Sequence, residues 1–210
     1  MKKLVLFDFD MTLVDSSYAI LYCTNLMAER YGLRQITHEE MLSVIGFDIE
    51  RSWITLWGEF KQEWLDYYRA NFGAKEDAMM RVFENSIATI DRLHELGIKV
   101  GIASNRRYAT RPLKSLGLDK YPDSIVGLEN VENPKPAPDV IVRSLEIHNM
   151  QKEDAVYVGD TDIDMQTAKN AGVLAIGMTT GAFSKEQLLA AGADYACDDL
   201  AEIIEIVTKD

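Results

Sequence analysis

Short apolar runs alternate with amphipathic stretches along most of this chain. Residues 3–8 form a β-branched, leucine-rich run of strand length, and similar runs recur at IKVGIAS, SIVG, AVYVGD and LAIGM. Between them, apolar positions recur at helical spacing over 80–96, 108–116, 139–148, 161–171 and 184–191, and several of these stretches stop at Gly97, Gly117 or Gly172. Buried strands alternating with amphipathic helices predict an α/β protein built on a doubly wound parallel sheet.

The alternation breaks between 16 and 79, a segment that contains no convincing strand and reads as several helices. Two units follow: an α/β core from 1–15 and 80–210, and an inserted helical lobe from 16–79. Within the lobe Trp53, Trp57, Phe60, Trp64, Tyr67 or Tyr68 and Phe72 fall at steps of three and four. They align on one helical face if Gly58 does not break the helix, as the core of the lobe or its contact with the sheet. A pocket lined by one or two of them is the alternative.

Charge narrows the partners. A formal net charge of −12 argues against a nucleic-acid or acidic-membrane surface, because phosphate backbones are held by clustered Lys and Arg. An anionic substrate then needs a local positive site within a negative field. No apolar run is long enough to span a bilayer, and the N-terminal MKKLVLFDFD runs into acid rather than a cleavage site, so a cytoplasmic chain is expected. Cys23 and Cys197 lie far from each other with no Cys/His spacing, which supports neither a disulfide framework nor a zinc site. Monomer and homodimer both stay open.

The first strand runs straight into two like charges, Asp8 and Asp10, with Thr12 in the following turn. In an open parallel sheet, ligands bind at the carboxyl ends of strands, so these carboxylates stand where chemistry belongs. An Asp at a strand end also serves simply as a turn or cap residue. Other strand ends tip the balance: IKVGIAS finishes at Ser104 and Asn105, and AVYVGD finishes at Asp160, followed by Asp162 and Asp164. Between them NPKPAPD mounts Lys135 between two prolines, whose fixed φ makes a stiff base for a flexible ammonium. Two carboxylates about 5 Å from each other repel by about 3 kcal/mol at an effective dielectric of about 20. Asp8, Asp10, Asp160 and Asp164 gathered in one cleft would raise each other's pKa, and a divalent cation relieves that. An all-oxygen site with room for waters and a phosphate suits Mg²⁺ better than Zn²⁺ or a caged Ca²⁺.

DFDMTLVDS, IASN, NPKPAPD and GDTDIDMQTAKNAG together resemble, in order, the four motifs of the haloacid dehalogenase superfamily of phosphohydrolases. The helical insertion is similar to the cap of the phosphoglycolate phosphatase-like branch. The resemblance implies a Rossmann-like core with an all-helical cap, and a Mg²⁺-dependent phosphatase of a small-molecule phosphomonoester, phosphoglycolate or a related metabolite. It implies that Asp8 is the nucleophile forming an aspartyl phosphate, that Asp10 is the acid and then the base, and that Lys135 neutralises the phosphoryl charge and holds Asp8 in line. Thr12, Ser104 and Asn105 would bind phosphoryl oxygens. Mg²⁺ would be held by the Asp8 carboxylate, the Asp10 carbonyl and Asp160, with Asp164 in support. The strand of Asp8 would lie between those ending at Ser104 and Asp160.

Met11 occupies a position that is usually glycine in that superfamily, and is expected to narrow or reshape the leaving-group pocket while catalysis survives. Arg51, in GFDIERSW, is the expected contact for a second anionic group of the substrate, with a surface helix arginine as its alternative. Arg106 and Arg107, just after the second motif, are further candidates for that contact. A sugar-phosphate mutase or other phosphotransferase, and a non-catalytic module that binds metal and phosphate, are the competing functions. Asp10 speaks against the module, which needs no leaving-group acid.

Overall fold

The computed structural model describes residues 1–209. The chain opens with β1 (Leu4–Phe7) and β2 (Val14–Asp15), then makes four successive helices, α1 (Ser17–Tyr31), α2 (His38–Leu42), α3 (Ile49–Trp57) and α4 (Gln62–Met79). It returns through β3 (Arg81–Val82), α5 (Ser86–Glu95), β4 (Lys99–Ala103), α6 (Thr110–Ser115), β5 (Ser124–Val126) and α7 (Asp139–His148). The last third adds β6 (Ala155–Gly159), α8 (Asp162–Ala171), β7 (Leu174–Met178), α9 (Lys185–Ala191), β8 (Tyr195–Cys197) and α10 (Ile203–Thr208).

Six strands pair in the order β5-β4-β1-β6-β7-β8, all parallel. This is the doubly wound α/β sheet anticipated from the alternation. β1 lies at its centre, with Phe7 opposite Ile102 of β4 and Val158 of β6. Helices cover both faces, so β1 is apolar at every position: Val5 and Phe7 join one core with Ile90, Leu93 and Ile203, while Leu4 and Leu6 join the other with Val140 and Met165. Burying such side chains stabilises the sheet by about 1.5–3 kcal/mol each. The strand therefore gives its carboxyl end a rigid mount.

Several boundaries differ from the sequence reading. Residues 80–96 do not form one helix, because Arg81 and Val82 pair antiparallel with Asp15 and Val14. Asn85, at φ 68°, then turns the chain so that α5 begins only at Ser86. The small β2–β3 ladder joins the two strands of chain that leave for, and return from, the helical insertion. β8 was not anticipated as a strand, its three residues being too few for a visible alternation.

Gly58 does break the aromatic helix. Its φ of 79° is left-handed, and its N–H bonds the Ile54 carbonyl to end α3. The aromatics therefore sit on two helices that fold against each other, with Phe60 in the connection between them, instead of forming one stripe. Trp53 meets Trp64 at 6.4 Å between ring centroids and Tyr68 at 5.8 Å, and all three rings are buried. They form a core separate from the two flanking the sheet, shared with Cys23, Met27 and Met41.

Candidate active site

The carboxyl ends of β1, β4 and β6 bring the expected residues together. Asp8 directly follows β1, and its N–H extends the ladder to the Val158 carbonyl at 2.8 Å. Lys135, on the loop before α7, places its buried ammonium 2.9 Å from Asp8 Oδ1, 2.6 Å from Asp164 Oδ1 and 3.0 Å from the Tyr157 hydroxyl. Three donors meet three oxygens, so the ammonium is fully engaged. Tyr157 also bonds the Ala103 carbonyl at 2.7 Å, which ties β6 to β4 behind the lysine.

Asn105 fixes the backbone that carries the lysine. Its Oδ1 accepts from the Lys135 N–H at 2.7 Å, and its Nδ2 donates to the Gly46 carbonyl of the helical insertion at 3.1 Å. Ser104 Oγ accepts from the Arg106 N–H at 3.3 Å. Thr12 donates to Asp160 Oδ1 at 3.2 Å, so it faces the acidic cluster in this conformation.

Asp8, Asp160 and Asp164 each bring a carboxylate oxygen within 4.8 Å of the others, all buried. Asp164 is well satisfied: Oδ1 accepts from Lys135, with the Tyr157 hydroxyl 3.2 Å away, and Oδ2 takes the N–H and hydroxyl of Thr161, the N-cap of α8. Asp160 differs, because its buried Oδ2 has no hydrogen-bond partner. A Cβ at Gly181 would fall 2.0 Å from that oxygen, so only a residue without a side chain leaves it room. Three carboxylates against one ammonium leave excess negative charge, and an all-oxygen donor set with one unsatisfied buried oxygen fits a hard divalent cation. Asp8 and Asp160 have the open oxygens, while Asp164 anchors Lys135 beside them. The Asp10 side chain points elsewhere, leaving only its carbonyl for such an ion.

Electrostatics follow the geometry. Burial pushes the Asp8 carboxyl up to about 6, against the pull of the Lys135 ammonium and reinforced by Asp164 and Asp10. Burial also raises Asp160 well above the ordinary carboxylate range, with Asp164 and Asp8 adding to it. Burial works against the Lys135 charge, but Asp164 and Asp8 outweigh it and keep the ammonium protonated.

Above this cluster opens a cavity of about 650 Å³, with Asp8, Asp10, Ser104, Asn105 and Lys135 on its floor side and Phe47, Trp53 and Tyr68 of the insertion among its walls. Trp53, Phe60 and Tyr68 of the aromatic series thus serve as wall and core together, more than the one or two that the alternative reading allowed. Arg51 does not line this cavity: its guanidinium stacks 3.9 Å from the Phe47 ring centroid, and it lines an adjoining outer depression that shares Asp48, Glu50, Arg107 and Leu128 with the cavity. Asp48 caps α3 through the N–H groups of Glu50 and Arg51, and Arg51 departs on the outer side of that first turn. Met11 is not among the residues that line the cavity; it is buried at φ 59°, in the left-handed region that suits glycine.

The Asp10 carboxylate is held by Arg106, with Nε on one oxygen at 3.0 Å and Nη2 on the other at 2.7 Å. Arg106 Nη1 bonds Glu76 of α4 at 2.6 Å, and the second Glu76 oxygen takes the Tyr68 hydroxyl. Nearby, Arg111 pairs with the buried Asp77 at 2.6 Å. Glu76, Asp77 and Tyr157 escaped the sequence reading. The only trace was polar groups on faces otherwise read as solvated helix or apolar strand.

A carboxylate at the end of the central strand, a lysine bound to it, and further acids at the end of β6 and in the first turn of α8 form a site of the type that suits phosphoryl transfer on a doubly wound sheet. Residues 5–178 match the haloacid dehalogenase-like hydrolases, and the chain belongs to that family. It is an enzyme of the phosphatase class. A protein of Caldanaerobacter subterraneus subsp. tengcongensis, provisionally named pyrophosphatase PpaX, is 31% identical, with 97% of this chain and 93% of that one aligned. Pyrophosphatase PpaX of Anoxybacillus flavithermus is 28% identical, over 97% of this chain and 95% of its own. The structure is similar to that of a haloacid dehalogenase-like family hydrolase from Streptococcus pneumoniae, with a TM-score of 0.85 at 25% identity and 98% of both chains covered.

Proposed function

We propose that this enzyme is a Mg²⁺-dependent phosphatase of small phosphorylated metabolites that works through a phosphorylated Asp8. The observation that carries the reading is the Lys135 ammonium bridging Asp8 and Asp164 beneath the cavity. Asp8 attacks phosphorus; its O–P bond forms as the bond to the leaving oxygen breaks. Asp10 gives that oxygen a proton. Water then attacks the aspartyl phosphate, the Asp8 O–P bond breaks, and Asp10 takes the proton of the water. Lys135 neutralises phosphoryl charge and keeps Asp8 in line, while Ser104, Thr12 and the Asn105 N–H receive phosphoryl oxygens. Asp8, Asp160 and the Asp10 carbonyl would hold Mg²⁺, supported by Asp164, and the ion would supply the positive charge that lets an anionic phosphoryl group approach a carboxylate.

The helical insertion acts as a lid in this proposal, because its aromatics wall the cavity where the leaving group sits and thereby exclude water. The relatives named pyrophosphatase add inorganic pyrophosphate to phosphoglycolate as substrates to examine. The direct test is phosphate release from p-nitrophenyl phosphate with and without Mg²⁺, beside Asp8→Asn. Release that needs the ion and disappears in the variant supports the reading; release that survives Asp8→Asn removes it.

A further inference from the structure

The cation nearest the Asp10 carboxylate is shared in an unusual way. Arg106 holds Asp10 with a two-pronged fork and Glu76 with its third arm, and its side chain, like those of both acids, is largely buried. Two carboxylates on one guanidinium leave the group of three with a surplus negative charge. A buried guanidinium cannot lose every anionic partner without a large penalty, but it can exchange one of two. Asp10, two residues from the nucleophile, stands on the leaving-group side of the cavity, so Arg106 stands there too.

The consequence depends on the leaving group. A neutral alcohol offers Arg106 nothing in return, and the fork stays on Asp10. A carboxylate or a second phosphate presents paired oxygens that match the fork, so it can take the place of Asp10 while the charge count around Arg106 is preserved. Glu76, itself fixed by Tyr68 within the aromatic core of the insertion, keeps the guanidinium in position during the exchange. Asp10 is then released toward the scissile oxygen.

We infer that Arg106 is the specificity-determining residue of this site, selecting substrates whose leaving group carries its own carboxylate or phosphate beside the scissile bond. This rests on the phosphatase reading and names its substrate class. Arg51 is not needed for that purpose.

The test compares kcat/KM for phosphoglycolate and pyrophosphate with that for glucose 6-phosphate and p-nitrophenyl phosphate, in wild type, Arg106→Gln, Arg106→Lys and Glu76→Gln, each checked for a cooperative thermal melt. Arg106→Gln is expected to lose about 100-fold on the first two substrates, the scale of one lost charge-stabilising donor, with far less change on the other two. Arg106→Lys keeps the charge without the fork and is expected to fall between, so it carries the test if Arg106→Gln does not fold. Glu76→Gln removes the charge that anchors Arg106 and is expected to raise KM for phosphoglycolate, with far less change for p-nitrophenyl phosphate. Equal losses on all four substrates, or none, overturn the inference and leave the phosphatase standing. Asp8-dependent turnover of the neutral-leaving-group pair alone does the same. No turnover of any of them by wild type overturns both.

Discussion

Replacing Asp8, the proposed nucleophile, should make the metal-free protein more stable, and the size and pH dependence of the gain follow from the site. Asp8 titrates near 3.8 in an unfolded chain and is pushed to about 6 in the fold, by burial first and with the Lys135 attraction already counted against it. The folded state therefore holds this proton more tightly. Stability from the protonated carboxyl is fully present below 3.8 and is lost as pH rises through about 6. A shift of about two units is worth about 3 kcal/mol at about 1.4 kcal/mol per unit. Asp8→Asn keeps the shape and abolishes the titration, while Lys135 retains Asp164 as its anionic partner. At about 2–4 °C per kcal/mol for a chain of this size, the variant should melt about 6–12 °C above wild type at pH 7.5 in chelator. The gap should close at pH 4, where both carry a neutral group. Saturating Mg²⁺ should narrow it, because a ligand bound only by the folded state raises wild-type stability by mass action. The assay is a series of thermal melts of both proteins from pH 4 to 8, with and without the ion. A variant that melts at or below wild type across that range in chelator, or a gap that ignores pH, would refute the electrostatic account.

Other perturbations separate the parts of the site. Lys135→Met leaves Asp8 and Asp164 facing each other without a cation; a loss of about 3–5 kcal/mol in urea unfolding is expected, with phosphate release at background. Gly181→Ala sets a methyl 2.0 Å from Asp160 Oδ2, and the Mg²⁺ concentration for half-maximal activity should rise at least about tenfold in a protein that still folds. Arg111→Ala strands the buried Asp77 and should cost about 1–3 kcal/mol in chemical denaturation, more than Asp77→Asn, since the half-exposed arginine can return to water.

The sheet and the acidic cluster were readable in the sequence for a shared physical reason. A strand buried on both faces must be apolar throughout, so the polar residue that ends it is conspicuous, and Asp8, Ser104 and Asp160 each end such a strand. Helical polar residues lack that contrast. Glu76 and Asp77 sit in an eighteen-residue helix rich in charge, where an acid normally faces water. Their burial arises from two arginines beyond β4 that arrive from another part of the chain. Tyr157 was hidden the other way, its ring fitting an apolar strand while its hydroxyl does the work of holding Lys135. Arg51 read plausibly as a substrate contact because it is a cation within the helical insertion; the direction set by the Asp48 cap of α3 sends it outward. The Gly58 break was posed as a condition by the sequence, and only the fold of α3 against α4 decides it, since a glycine interior to a helix and one that ends it look alike in one dimension.

Both cations of the site obey one rule, and it reconciles an acidic protein with an anionic substrate. Lys135 lies between Asp8 and Asp164, and Arg106 between Asp10 and Glu76. Each cation is thus desolvated and fixed in direction before any substrate arrives, which a lone surface arginine in a chain of net charge −12 would not be. In each pair one acid, Asp8 or Asp10, stands at the proposed reaction centre, and the other anchors the cation from a different element, Asp164 on α8 or Glu76 on α4. A phosphoryl group or an anionic leaving group needs only to draw the cation's charge away from the first acid, because the second keeps it in place. The same anchoring that costs stability in the empty site therefore saves reorganisation when the substrate binds. The two anchors belong to different parts of the molecule, Asp164 to a helix against the sheet and Glu76 to the helical insertion, so the electrostatics around both Asp8 and Asp10 depend on how those two parts meet.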